Sequence, residues 1–174
     1  MACISKLANA IAYDCDSGAT GLVSALIINK ADIKSFTVSS DGTAVTALTL
    51  TGASKPFKMD TVKRSVITSE ALKVNDGAPN AYAHTVVITL TQKTAPVASA
   101  FSNGSFVIVT KDVYGSLQVL GLYYGLSATS YGRSSHDNGS WATVTLETPE
   151  NVIGEDVMSM IPSLYGTLYD AAVG

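Results

Sequence analysis

Charge is scarce in this chain. Only 14% of its 174 residues are Asp, Glu, Lys or Arg, against about a quarter in ordinary soluble domains. An isolated molecule so poor in charge shows water a large neutral surface, which points to a surface covered by copies of itself or by partners. The bases form no stripe either. Residues 1–93 carry nine Lys/Arg against seven Asp/Glu, a net +2, and residues 94–174 carry two against seven, a net −5. Specific recognition of nucleic-acid phosphates is therefore disfavoured. A mildly acidic surface does suit a passage along which DNA slides without sticking.

Reactive and metal-ligating residues are equally few, with two Cys, two His and one Trp. Cys3 and Cys15 follow no signal-peptide pattern, so they are expected to be reduced thiols. No pair of His and Cys has zinc spacing. Asp14-Cys-Asp-Ser-Gly18 begins like a calcium loop, but its twelfth position is Ala25 where a carboxylate is needed, so it is expected to be a turn. Ser134, Ser135, His136 and Asp137 include every residue type of a hydrolase triad. As neighbours on one loop they cannot converge on a point, and the Gly-x-Ser-x-Gly elbow is missing. His84 is expected to be a face residue of a strand. No phosphate-cradling or dinucleotide fingerprint occurs, and no run approaches the roughly 18 apolar residues of a membrane span. No catalytic residue, metal or cofactor is therefore expected, and no membrane partner.

What is abundant is Thr, Val, Ser, Ala, Leu and Gly in short β-type runs. Residues 22–28 are apolar and β-branched. Residues 33–39 and 44–51 flank Ser40-Asp-Gly42, a strong hairpin signal. In the second run Val45, Ala47, Thr49 and Thr51 are expected on one face and Thr46, Leu48 and Leu50 on the other. Residues 55–73 carry Lys55, Lys58, Lys63, Arg64 and Lys73 and are expected to form a long exposed hairpin arm, either a charge-blunted edge or a subunit contact. Residues 82–91 form a strong strand. Thr94 as N-cap, Pro96 in the first turn and a left-handed stop at Asn103-Gly104 predict a short helix. Ser105-Phe-Val-Ile-Val-Thr110, residues 116–122 and Trp141-Ala-Thr-Val-Thr-Leu146 read as a three-run meander joined by a small-residue loop.

The expected architecture is a single, mainly β domain, an antiparallel sandwich or barrel with one short helix and the hairpin arm. It comprises an N-terminal arm over residues 1–20, the sandwich over 21–149 and an acidic tail over 150–174. Tyr123, Tyr124, Tyr131 and Trp141 form one candidate aromatic contact. Aromatics of this kind suit either a subunit interface or stacking on sugar rings, so a carbohydrate-binding module is the competing reading.

The order of a strand pair, a charged arm, a strong strand, a short helix, and then Phe106-Val-Ile-Val109, Leu117-Gln-Val-Leu-Gly-Leu122 and Trp141-Ala-Thr-Val-Thr-Leu-Glu147 resembles the tail-tube proteins of tailed bacteriophages and related injection machines. The resemblance spans residues 20–150 and lies in element order. It implies a structural virion protein assembled in the cytoplasm of a host bacterium. Its copies, six or a multiple of six, would form a ring or tube with other tail or connector proteins, around a channel through which DNA passes. The segment at residues 55–73 would reach a neighbouring subunit.

Overall fold

A computed structural model of the chain describes residues 21–59, 61, 65–90, 94–136 and 139–174. The expected arm over residues 1–20, with Cys3 and Cys15, lies outside the described residues, as do Lys63, Arg64 and Asp137. The fold is mainly β and antiparallel, as expected.

Its centre is a strand with no polar alternation. In β7 (Ser105–Asp112) five consecutive residues, Phe106 to Thr110, are buried. A strand apolar on both faces needs a packed layer on each side, and β7 has one. Phe106 and Ile108 point into one core with Val66, Val86, Ile88, Leu120, Leu126, Val144 and Leu146. Val107 and Val109 point into another with Leu26, Ile28, Val45, Leu48, Val119, Met158 and Leu168.

The main sheet runs β4 (Phe57–Met59), β1 (Leu22–Asn29), β7, β9 (Leu126–His136), β10 (Gly139–Glu147), β6 (Ala81–Leu90), β5 (Val66–Lys73), with β8 (Leu117–Leu120) also paired to β7. Both β8 and β9 use the same edge of β7: β8 pairs with Ile108 to Lys111, and β9 with Ser105 and Phe106. A smaller sheet, β11 (Ser159–Met160), β3 (Ala44–Leu50) and β2 (Ile33–Val38), covers the second core together with the helix α2 (Pro162–Ala171).

Several expectations change. Residues 55–73 are not a hairpin arm: β4 pairs with β1 and β5 with β6, so the two strands stand at the two ends of the main sheet and do not pair with each other. Their apolar faces found different partners, Met59 and Val66 both packing on the first core. The expected small-residue loop after Leu122 is mostly the eleven-residue strand β9, held by pairing with β10 despite its Ser and Gly content. Residues 150–174 are not a tail. Met158, Met160, Tyr165 and Leu168 are buried, and α2 is a second helix whose i, i+3 pair Tyr165 and Leu168 faces the core.

The face alternation of β3 also shifts. Val45 and Leu48 are both buried because the β2–β3 register slips between Thr37 and Val38, where the pairing steps from Ala47 to Val45. One extra residue in a strand re-aims its side chains. The helix α1 (Ala95–Asn103) starts at the expected Thr94, but without a side-chain cap bond, and Gly104 has φ −87° rather than a left-handed conformation. Glycine is required there for space: a Cβ would meet the Phe106 ring and lie 2.5 Å from the Ala100 carbonyl oxygen.

Candidate assembly surface

The ends of a sheet are where a β protein meets partners, and here they are treated differently. At β4 the edge is covered: Lys58 N–H donates to the Val173 carbonyl at 2.8 Å and Val173 N–H to the Pro56 carbonyl at 2.9 Å. On the smaller sheet β2 is broken by two register shifts, which blunt an edge. The strand β5 has neither protection. It pairs with β6 through eight consecutive residues without a shift, and among the described residues no strand lies on its other side.

The charges that usually guard such an edge are turned away. Glu70 points inward, its Oε1 3.2 Å from Nε2 of His84, with a side chain only 16% exposed. Lys73 folds its Nζ onto the carbonyl oxygens of Glu150 at 3.2 Å and Val152 at 2.5 Å. Exposed on and just after the strand are Ile67, Leu72 and Val74, each more than half exposed, together with the small Ser69 and Ala71.

Behind the edge, the outer face of β5, β6, β10 and β9 is nearly uncharged. Its cross-strand rows are Ser69–Thr85–Glu147–Ser127, Ile67–Val87–Thr145–Ser130 and Thr89–Thr143–Gly132, with Glu147 the one charge among them. Thr and Val alternate outward because the inward positions, Val86, Ile88, Val144 and Leu146, fill the core.

The arm residues divide. Lys55 is exposed, Lys58 lies over the Tyr169 ring with Nζ 4.5 Å from the centroid, and Lys73 is bound as described. The four aromatics do not make one platform. Tyr123 packs edge-on against Phe36 of the smaller sheet at 5.5 Å, and Tyr124 beside it is exposed. Tyr131 packs into the first core from β9, and Trp141 stands on β10 opposite Ser134.

The connection at residues 121–125 is positioned by a buried polar cluster that the sequence did not disclose. Glu155, 1% exposed, accepts the N–H of Tyr123 at 2.9 Å and of Tyr124 at 2.7 Å. Lys30 Nζ donates to the Leu122 carbonyl at 2.5 Å, and His84 Nδ1 accepts the Gly121 N–H at 3.1 Å. Burial pushes the Glu155 carboxyl above its usual range, opposed by those two N–H groups and Lys30. It lowers the Lys30 amine, opposed by Glu155, and pulls His84 down to about 4. Burial likewise raises Glu70, a hydrogen bond from Gln118 opposing it. His84 is thus a buried, neutral residue of the inner face. Glu155 lies in the acidic stretch after residue 150, and no local spacing signals a carboxylate that caps a loop about 30 residues earlier.

Comparison with protein-family models, curated proteins and solved structures finds no match. Among the described residues no three of His, Cys, Asp and Glu come together as a metal site.

Proposed function

We propose that this chain is a non-enzymatic structural protein whose copies assemble into a ring or tube, as part of a phage tail or neck through which DNA passes. The observation that carries this reading is the β5 edge: eight residues, regular, unpaired on one side among the described residues, with its two charges drawn inward or backward. A regular edge strand with exposed apolar side chains and no guarding charge is a template for pairing with another chain. The near-neutral outer face adds surface of the sort that copies bury against one another. The phage assignment within that reading rests on the resemblance in the order of the strands and the short helix alone, since residues 55–73 supply the separate edge strands β4 and β5 in place of the charged arm that was part of it.

The competing saccharide-binding reading gains less support, because the four aromatics lie in different layers. Assembly is tested by sedimentation and negative-stain microscopy across a concentration series. Rings or tubes are expected, and Thr68→Pro, which removes an N–H from the unpaired side of β5 while leaving the β6-facing N–H groups of Ile67 and Ser69 in place, is expected to reduce them. A strictly monomeric profile at every concentration overturns the reading.

A further inference from the structure

A cleft of about 540 Å³ opens where the β2–β3 turn meets Tyr82, Tyr123 and Asp156. Its lining has a definite chemistry. Asp41 and Asp156 contribute negative charge, Tyr82 and Tyr123 contribute rings of residues a little over one-third exposed, and no Lys, Arg or His is among the lining residues. The Asp41 carboxylate is fixed by the Ser39 hydroxyl and the Thr43 N–H, which hold its pKa below the usual range. Asp156 and Glu155 raise the Tyr123 phenol further after burial has done so, a sign of the negative field there. Leu72, at the end of the free strand β5, forms part of the wall.

Carboxylates beside aromatic and aliphatic surface favour a cation on an apolar stem. The same chain displays such a group elsewhere. Lys55 is exposed, and two residues on Phe57 is 43% exposed although its backbone is pinned between β1 and Val173. An exposed lysine just before β4 and an exposed phenylalanine at its start are complementary in charge and polarity to the cleft.

We propose that the Tyr82–Asp156 cleft of one copy receives the Lys55–Phe57 knob of the next. The contact is head-to-tail, since knob and cleft are different surfaces, and repeated use of it generates a ring or a helical tube rather than a two-fold dimer. It deepens, and rests on, the assembly reading above. The ammonium seats between the two carboxylates and the tyrosine rings, and the phenyl ring covers Leu72 and Val157.

A charge-reversal cycle tests it. Asp156→Lys and Lys55→Glu are each made alone and together, with circular dichroism to verify the fold and sedimentation to measure assembly. Each single change is expected to raise the concentration needed for half-assembly at least about tenfold, and the double change to bring it back to within about threefold of wild type. Single variants that assemble like wild type, or a double variant no better than the singles, overturn the knob-and-cleft contact and leave the assembly reading standing. A wild-type protein that never assembles removes both.

Discussion

The Nδ1 of His84 accepts the backbone N–H of Gly121 at 3.1 Å, while its Nε2 faces Glu70 Oε1 at 3.2 Å. The first bond requires Nδ1 to be bare, so the neutral imidazole carries its proton on Nε2, toward Glu70. Burial lowers its pKa to about 4 from the ordinary 6.5. Between those values the unfolded chain binds a proton that the folded one refuses, so this group's contribution is fully present above pH 6.5 and is lost as pH falls toward 4. The shift corresponds to roughly 3 kcal/mol. Glu70 and Glu155, both raised, act in the opposite sense and favour the fold at lower pH. His84→Asn keeps an acceptor for Gly121 but cannot titrate. Its unfolding free energy, followed by urea titration across this range, is expected to fall less steeply on acidification than wild type, by up to one proton. An unchanged slope would contradict the assignment.

Glu155 is the next member of that cluster. Glu155→Gln keeps the shape but loses the charge, and it turns an amide NH₂ toward one of the two N–H donors of Tyr123 and Tyr124. A cost of about 2–3 kcal/mol is expected. A loss below about 0.5 kcal/mol would show that the carboxylate contributes little there.

Gly121 itself sits at φ +75°, and a Cβ would lie 2.7 Å from Leu126 Cγ and 3.0 Å from its nitrogen. Gly121→Ala therefore combines a strained backbone with a clash inside the first core, and about 2–4 kcal/mol of destabilisation is expected. Gly115, at φ +83° with open space around its Cβ, is the control. Its Ala variant pays only the conformational cost, about 1–2 kcal/mol. Thermal melts of the two variants rank these effects.

Removing residues 150–174 strips Met158, Met160, Tyr165 and Leu168 from the second core and uncovers β4. The shortened chain is expected not to fold, seen as loss of sharp side-chain signals by NMR. A milder probe is Tyr165→Phe, which deletes the 2.6 Å hydrogen bond to the Ser24 hydroxyl. Its cost is expected at about 1 kcal/mol.

The parts legible in the sequence were those written in local pattern. The Asp41-Gly42 turn, the continuous apolar run of β7 and the start of α1 after Thr94 follow from neighbouring residues alone. The parts that escaped depend on partners far away. The Ser and Gly residues of β9 have weak strand preference and become a strand because β10 supplies the hydrogen bonds. The charges from Lys55 to Lys73 suggest one arm, whereas the apolar Met59 and Val66 decide where each strand goes. Lys30, His84 and Glu155 belong to three separate segments and meet only around residues 121–125.

Because β7 gives alternate side chains to two cores, neither layer can melt and leave the other with an intact wall. The amide protons of Val107, Ile108 and Val109 should therefore be among the last to exchange with deuterated solvent, at a rate set by opening of the whole molecule rather than by fraying. A subunit that opens only all at once keeps its edge strand in shape until the moment it comes apart.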